Sequence, residues 1–327
     1  MRTDSLLARL RAADGPLSGS ALADSLGVTR AAVHKRIEKL RVSGHRISGT
    51  HRVGYRWSGS TGRLDASVLQ GPLARDVIHR RVLASTQDTA KAGAVRGAAE
   101  GTLVIADRQT AGRGRMGRRW SSPAGGLWFS LVLRPAVRPD RVPPLPLVAA
   151  LSWVEVLRAR GVPAGVKWPN DVWADGKKIA GFLTEMSAET DRVQWVVLGA
   201  GVNVNNRPPS SLPGGLPVPA GAVAQWTGPV VLEELLGDWL SRFSRSYSRF
   251  VRAGFSPFRP AFERWSVLQG ERVFFEGPSG RCEGRVIGID REGRLRLTSA
   301  RGETTCGAGE VSLIRPEQRH GRPRSFP

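Results

Sequence analysis

The chain has 327 residues, too many for one ordinary domain, so we expect two or three. Its net charge of +21 favours polyanionic partners such as nucleic acid, nucleotide phosphates or an acidic protein. Its two cysteines, Cys282 and Cys306, fit neither a disulfide framework nor a zinc site. The N-terminus lacks the apolar core of a signal peptide and no run approaches a membrane span, so we expect a cytoplasmic protein with no membrane partner.

Residues 1–60 have the pattern of a small helical domain with a wing. Leucines recur at helical spacing in DSLLARL, SGSALADSLG predicts a second helix that ends at Gly27, and VTRAAVHKRIEKLR predicts a third. Val33, Ile37 and Leu40 lie at i, i+4 and i+7 of the third helix, so they share its inner face. The next segment, HRISGTHRVGYRW, predicts the two short strands of a basic wing.

Outward-facing residues near the start of the third helix lie where a helix-turn-helix protein meets base edges. These residues are Arg30, Ala31, His34 and Lys35, with Thr29 as the expected N-cap. Residues 1–60 carry eleven Arg and Lys against four Asp and Glu. We therefore predict a winged helix-turn-helix domain that binds DNA; the alternative is a three-helix protein-interaction domain whose charges are solvated.

Residues 61–267 alternate between helix and strand patterns after a polar linker at 58–63. A helix is predicted over 145–161, and a hairpin that turns at Asp175 and Gly176 follows it. A further strand, a Pro-rich loop and two helices complete the region. This order predicts a central α/β domain with a mixed sheet.

The last part of the chain has a different pattern. Residues 268–317 consist of short strand patterns separated by glycine turns, which predict a small SH3-like β-barrel. Residues 318–327 are expected to form a disordered tail. The whole chain is thus predicted to be an α+β protein with three domains.

The segment GRGRMGRRW, at residues 112–120, is the first candidate for chemistry. Its glycines let the backbone bend and bring N–H groups close to an anion, and arginines stand between them. Alone, such a run also fits a disordered tail that binds nucleic acid. Here it lies between two strand-like runs, TLVIA and GLWFSLVL, so a scaffold positions it and we predict a loop that covers phosphate.

The segment KWPND, at residues 167–171, is the second candidate and combines an ammonium, an indole, a turn, an amide and a carboxylate. Six of the forty-nine basic residues of the sequence are lysines. A compact ammonium makes a point contact that a guanidinium fork does not reproduce. Lys167 and Lys178 lie in motif-like segments, so we predict functions for them, whereas chance retention on the surface accounts for Lys91 and Lys177.

Five motifs follow one another in the central region: ASTQDTA, DRQTAGRGRMGRRW, KWPNDVW, KKIAGFLTE and GAGVNV. Their order, with a winged helix before them and a small barrel after them, resembles the family of bifunctional biotin protein ligases and biotin operon repressors over nearly the whole chain. The resemblance implies that ATP, with Mg²⁺, activates biotin to biotinyl-5′-AMP. It implies transfer of biotin to a lysine of a biotin carboxyl carrier protein, and binding of operator DNA as a homodimer.

The resemblance assigns roles motif by motif. The implied catalytic residues are Lys178, Arg115 and Asp171. The implied biotin site comprises Ser85, Thr86, Gln87, Gln109, Gly112, Arg113, Gly114, Arg115 and Lys178. The implied ATP site comprises Arg118, Trp120, Lys167, Asn170, Asn203 and Arg315, with Trp120 stacking on adenine. The role of Asp171 stays open between a base toward the acceptor amine and a member of a magnesium-linked network; no other metal ligand is assigned.

Several alternatives stay open. Ser85 and Thr86 also suit a helix cap, Asn203 suits a strand end, and Trp168 suits the core. Gln87 stands where the family often has Asn, and Met116 stands where it often has a basic residue. The competing functions are a lipoate-type protein ligase, a ligand-sensing regulator without ligase activity, and an RNA-binding protein.

Overall fold

The computed structural model describes residues 3–42, 44–50, 53–60, 64–209, 219–278 and 280–314. Within them it has the predicted order: a helical part with a wing, a central mixed-sheet part and a C-terminal antiparallel part. Arg315 and the tail predicted at 318–327 lie outside the described residues. No helix in the described ranges is long and apolar enough to cross a membrane.

The N-terminal part forms as the sequence predicts. Its elements are α1 (Thr3–Ala12), α2 (Gly19–Leu26), α3 (Arg30–Val42), β1 (His45–Thr50) and β2 (Gly54–Ser60). Ser18 caps α2 by accepting a hydrogen bond from the Ala21 amide, and Gly27 ends it in a left-handed conformation with φ of 61°. Because β2 continues to Ser60, the first half of the predicted 58–63 linker is strand, which corrects that prediction.

The central part is built on a seven-stranded sheet. The strands are β3 (Asp76–Leu83), β4 (Thr102–Gln109), β5 (Leu127–Leu133), β6 (Ala164–Lys167), β7 (Asp171–Ala174), β8 (Lys177–Ala188) and β9 (Val193–Val202). Their order is β3-β4-β5-β9-β8-β7-β6. The pair β3 and β4 is parallel and the other pairs are antiparallel, which confirms a mixed sheet.

Helices cover both faces of this sheet. They are α4 (Thr86–Val95), α5 (Leu145–Arg158), α6 (Ala224–Thr227), α7 (Leu232–Ala253) and α8 (Arg259–Trp265). Helices α5 and α7 contribute to one large apolar core, and α4 packs on the other face of the sheet. Strand β5 is buried at every position, as a strand between two helical layers must be. The predicted hairpin turn is present: Asp175 and Gly176 have φ of 45° and 71°, the combination of a mirror-image type I turn.

The C-terminal part is a five-stranded antiparallel sheet. Its strands are β10 (Arg272–Gly277), β11 (Gly280–Ile289), β12 (Leu295–Ser299), β13 (Gly302–Cys306) and β14 (Glu310–Leu313), in the order β13-β12-β11-β10-β14. The pairing of β13 with β14 that would close a barrel does not occur among the described residues. The predicted closed barrel is therefore not observed. Short strands separated by glycines fit an open sheet equally well, because closure depends on the two end strands meeting.

Candidate active site

A cavity of about 300 Å³ opens between the 112–120 loop, the KWPND turn and the start of α4, with β8 and β9 as its floor. It brings together most of the predicted site residues. Those that line it are Ser85, Thr86, Gln87, Gln109, Arg113, Gly114, Arg115, Arg118, Trp120, Lys167, Asn170, Asp171 and Lys178. Side chains separated by up to 93 positions in sequence therefore face one space.

One end of the cavity carries a connected set of neutral polar groups. The Thr86 hydroxyl and backbone N–H donate to Oε1 of Gln109, at 3.1 and 2.8 Å. Ser130 lies 3.0 Å from the Thr86 hydroxyl and donates to Oε1 of Gln87 at 3.1 Å. Nε2 of Gln109 donates to Ser122 at 2.8 Å. These hydroxyls and amides are mutually oriented by hydrogen bonds, which suits recognition of a small neutral polar group.

Ser85 has a structural role as well as a place on the wall. It is buried and caps α4, because its hydroxyl accepts a hydrogen bond from the Asp88 amide at 3.3 Å. The helix-cap interpretation is thus correct for Ser85, while the Thr86 side chain bonds across to Gln109 and Ser130 instead.

The 112–120 loop folds back on itself as a tight hairpin. The Trp120 amide donates to the Gly112 carbonyl at 2.8 Å, and the Gly114 amide donates to the Arg118 carbonyl at 2.7 Å. At the tip, Met116 and Gly117 have φ of 54° and 71°. A left-handed conformation at Met116 is unusual for a residue with a Cβ, so this turn is held by the surrounding loop.

Each arginine of the loop has a different partner. Arg113 pairs with Asp88, and Arg118 pairs with Glu310 of the C-terminal sheet. Arg115 reaches across the cavity, where one nitrogen donates to Oδ1 of Asn170 and another to the carbonyl of Gly309, both at 3.2 Å. Charged donors therefore attach the loop to α4, to the KWPND turn and to the C-terminal sheet.

The other end of the cavity is cationic. Nζ of Lys178 lies 2.7 Å from Oδ2 of Asp171 and 5.2 Å from the ring centre of Trp120. Oδ1 of Asp171 is buried and has no hydrogen-bond partner among the residues that the structure describes. An ammonium thus lies between a carboxylate and an aromatic face, next to an oxygen that still lacks a partner.

Lys167 adds a second ammonium at this end. Its Nζ lies 4.4 Å from the ring centre of Trp173. Burial lowers the pKa of Lys167 and nearby Lys178 lowers it further, whereas Asp171 raises it. A partly desolvated ammonium interacts more strongly with an incoming phosphate than one in bulk water.

Glycines form the floor where a ring or ligand lies close to the strands. A Cβ at Gly201 would lie 2.5 Å from Nε1 of Trp120, and one at Gly181 would lie 3.2 Å from both Trp120 and Oδ1 of Asp171. These glycines belong to the KKIAGFLTE and GAGVNV motifs, but sequence reasoning assigned them no role. Nor did it identify Ser130, although a serine in the otherwise apolar run LWFSLVL is a signal for a buried hydrogen bond.

Three predicted site residues lie elsewhere. Gly112 is buried beneath the loop, where a Cβ would lie 2.5 Å from the carbonyl of Trp120. Asn203 does not line the cavity; it is buried after β9 and its Oδ1 accepts from Asn206 at 2.9 Å. Arg315 lies outside the described residues. Trp168 belongs to the core, as predicted, and its Nε1 donates to the carbonyl of Gly293 at 3.0 Å.

The predicted DNA-contacting residues share one exposed surface at the start of α3. Arg30, Ala31, His34 and Lys35 are all exposed, while Val33, Ile37 and Leu40 are buried. Thr29 caps the helix by accepting from the Ala32 amide at 3.2 Å.

Comparison with known proteins agrees with the fold. The class is that of the biotin/lipoate A/B protein ligase family, whose model matches residues 80–203, and an HTH domain model matches residues 2–56. The bifunctional ligase/repressor BirA of Bacillus subtilis (strain 168) is 38% identical over 91% of this chain and 94% of its own length. That of Escherichia coli (strain K12) is 33% identical over 92% of this chain and 94% of its own length.

A solved structure agrees as well. The biotin protein ligase from Aquifex aeolicus in complex with biotin and ATP has a TM-score of 0.63 and 32% identity, covering 74% of this chain and 99% of that one. The chain therefore belongs to the family of bifunctional biotin ligase/repressors, and the resemblance inferred from the five motifs is confirmed.

Proposed function

We propose that this chain activates biotin with ATP to form biotinyl-5′-AMP and then transfers biotin to a lysine of a biotin carboxyl carrier protein. The observation that carries the proposal is that one cavity joins a neutral hydroxyl and amide network to a cationic end. Biotin has the same two parts, a ureido head group and a carboxylate. The relatives named above act as ligases or bind biotin and ATP, which supports the same conclusion.

In the first step a biotin carboxylate oxygen attacks the α-phosphorus of ATP and the bond to pyrophosphate breaks. Two anions must approach each other, so positive charge at their meeting point lowers the barrier. Lys178 supplies that charge, because its ammonium lies at the cationic end, and Arg113 and Arg115 supply more from the loop. Gly114 lets the loop backbone approach the phosphate.

In the second step the acceptor lysine nitrogen attacks the acyl carbon and AMP leaves. Asp171 lines the cavity and pairs with Lys178 through Oδ2, and its Oδ1 has no hydrogen-bond partner among the described residues. It can accept a proton from the incoming amine or hold the Mg²⁺ that accompanies ATP. The described residues contain no cluster of three or more metal-binding side chains. Phosphate oxygens of ATP would therefore supply further ligands to that ion. Trp120, Lys167, Asn170 and Arg118 would hold the nucleotide, and Asn203 and Arg315 remain predicted members of the ATP site.

Exchange of radiolabelled pyrophosphate into ATP, measured with and without biotin, tests the proposal. Biotin-dependent exchange is expected. Exchange that responds to lipoate instead would favour a lipoate-type ligase, and biotin binding without exchange would favour a ligand-sensing regulator. Absence of both biotin binding and exchange would leave the RNA-binding interpretation.

We also propose that α3 reads operator DNA and that a homodimer presents two such helices to a two-fold site. The exposed residues Arg30, Ala31, His34 and Lys35 support this, as does the match of residues 2–56 to an HTH domain. Affinity should fall steeply with salt, because lysines and arginines displace phosphate counterions, and should rise with biotin and ATP. Salt-sensitive binding with no sequence preference and no response to these ligands would contradict the repressor function.

Two further proposals concern context. The C-terminal part is of the small SH3-like β-barrel class, and its five-stranded antiparallel order, with β13 and β14 unpaired with each other among the described residues, supports an open form of that class. The protein acts in the cytoplasm, where DNA and carrier protein are both present; its free cysteines are compatible with that compartment.

A further inference from the structure

Glu185 lies on β8, just outside the cavity wall, and belongs to none of the predicted site residues. Its Oε1 is 3.1 Å from Nζ of Lys91, and its Oε2 is 3.5 Å from Nη2 of Arg113. The Glu185 side chain is 27% exposed, yet within the described part of the chain Oε2 itself is buried and has no hydrogen-bond partner. The carboxylate is therefore directed toward Arg113 of the loop as well as toward the solvent-exposed lysine.

The same carboxylate also reaches Gln87 on α4. Nε2 of Gln87 donates to the carbonyl of Val197 at 3.2 Å, and Val197 is the cross-strand partner of Glu185. Burial raises the pKa of Glu185, but the neighbouring Gln87 amide and the charges of Lys91 and Arg113 lower it overall.

These contacts select one of the two possible orientations of the Gln87 amide. A carbonyl and a carboxylate can only accept hydrogen bonds, so the NH₂ group of Gln87 must face them. Its Oε1 then faces the opposite way, where Ser130 donates to it at 3.1 Å and a Cβ at Gly199 would lie 2.4 Å away. The Val197 carbonyl and the Glu185 carboxylate together therefore keep the NH₂ group of Gln87 on their side and its Oε1 toward Ser130.

We propose that Glu185 is a positioning residue for biotin, which orients Gln87 at the head-group end of the site and Arg113 at the carboxylate end. The inference rests on the proposed function, in which Gln87 and Arg113 contact biotin. Glu185 does not touch the ligand and acts through these two side chains. Glu185 on β8 thereby connects Gln87 on α4 with Arg113 in the loop, although these three elements are separate segments of the sequence.

The test is a graded pair of substitutions in the full-length chain, with biotin affinity measured by titration calorimetry. Glu185→Gln keeps an acceptor oxygen for Gln87 and loses the charge beside Arg113, so the Kd for biotin should rise about threefold. Glu185→Leu also removes one of the two acceptors that hold the Gln87 amide in its orientation, so the Kd should rise about tenfold or more. The Kd for ATP and the thermal midpoint should change little.

A matched control is Glu189→Gln, which removes a carboxylate just beyond the end of the same strand, where it contacts Gln194 and Arg192. This control should bind biotin as the wild type does. Unchanged biotin affinity in Glu185→Leu would overturn the proposal.

A double-mutant cycle separates positioning from a general structural effect. In a Gln87→Ala background, Glu185→Leu should raise the Kd for biotin no more than Glu185→Gln does in the wild type. The reason is that Gln87, one of the two side chains through which Glu185 acts, is then absent. Equal costs for Glu185→Leu with and without Gln87 would mean that Glu185 does not act through that amide. If wild-type protein bound no biotin, the proposed function itself would fail; if the wild type bound biotin and the variants matched it, this inference alone would fail.

Discussion

Two regions of the molecule place a cation between a carboxylate and a tryptophan, with different results. In the cavity, Lys178 lies beside Asp171 and 5.2 Å from the ring centre of Trp120. At the seam between the winged helix and the catalytic part, Arg11 pairs with Glu234, lies 3.9 Å from Glu233, and stands 5.3 Å from the ring centre of Trp57. The local chemistry is alike, so the surroundings must account for the difference.

The surroundings differ in space and in solvation. The cavity cluster borders about 300 Å³ of open volume, so a ligand can approach its charges. At the seam, the side chains of His45 and Glu233 are 1% and 6% exposed, and Nε2 of His45 lies 3.5 Å from Oε1 of Glu233. Burial there outweighs pairing: it lowers the pKa of His45 to about 4 and raises the pKa of Glu233 to about 7. A charged cluster can bind a ligand when open volume remains beside it. When neighbouring elements fill that volume, the cluster instead forms part of the interface between two domains.

The largest expected effect is at the cavity cluster. Lys178→Ala should lower biotin-dependent adenylate synthesis by about two to four orders of magnitude, because the ammonium favours the charge that develops in the transition state. Pyrophosphate exchange measures the loss, and circular dichroism should show an unchanged fold. Lys177→Ala is the matched control, since that exposed neighbour contacts Gln225 and should retain full exchange. Equal rates in the two variants would make Lys178 a surface lysine.

The seam should respond to pH rather than to ligand. In the unfolded chain Glu233 ionises above about 4.5, but in the folded chain it ionises above about 7, so wild-type stability falls as pH rises through this interval. Glu233→Gln removes that loss. The free energy of unfolding of the variant minus that of the wild type should therefore be larger at pH 8 than at pH 4.5, by at most about 3 kcal/mol. Urea denaturation across this range measures the difference.

Two neighbours serve as controls for the seam. Glu234→Gln removes the adjacent carboxylate, whose side chain is 54% exposed, so it should change the free energy of unfolding little. His45→Gln should show the opposite slope: the folded pKa is lowered, so wild-type stability is lost as pH falls from about 6.5 to about 4 and the variant escapes this loss. A flat difference for Glu233→Gln would mean that the seam carboxyl is as solvated as an ordinary one.

Arg115 gives a smaller effect with a distinctive product. Arg115→Gly should leave adenylate synthesis substantial but release biotinyl-5′-AMP about ten- to a hundredfold faster, because two charged hydrogen bonds across the cavity, to Asn170 and Gly309, disappear. Escaped adenylate should label lysines on an unrelated protein such as serum albumin. Arg138→Gly, at an exposed arginine paired with Asp140, should not. Labelling confined to the carrier protein would disprove the retention role.

The smallest effect concerns the tip of the loop. Met116 has φ of 54° and is 74% exposed, so it carries backbone strain without burying its side chain. Asparagine tolerates this conformation better, and Met116→Asn should slow loss of biotinyl-5′-AMP about twofold. Met116→Val is the counterpart, since a β-branched residue is strained more and should accelerate the loss. Indistinguishable rates for the two variants would show that the turn does not limit release.

Local patterns in the sequence were sufficient for much of the fold. The three helices and the wing, the mixed sheet and the turn at Asp175 and Gly176 follow from hydrophobic spacing, caps and glycine positions. Most of the cavity residues were also predictable, because five motifs in order indicated a family. The predicted closure of the C-terminal barrel is not observed among the described residues, because closure requires β13 and β14 to meet and their spacing in sequence does not encode that meeting.

Tertiary structure alone decided how each polar residue is used. Glu233 and Glu234 are adjacent acids in the first turn of α7 and are equivalent in the sequence, yet one is buried against His45 and the other is half exposed. Ser130 lies in a strand with no motif of its own, and Glu185 ends the KKIAGFLTE motif without an assigned role. Only the packing of α4 and the loop brings these two residues to Gln87 and Arg113. Sequence spacing determines which face of an element a residue occupies, whereas burial, and with it pKa and hydrogen-bond partners, depends on what another part of the chain places against that face.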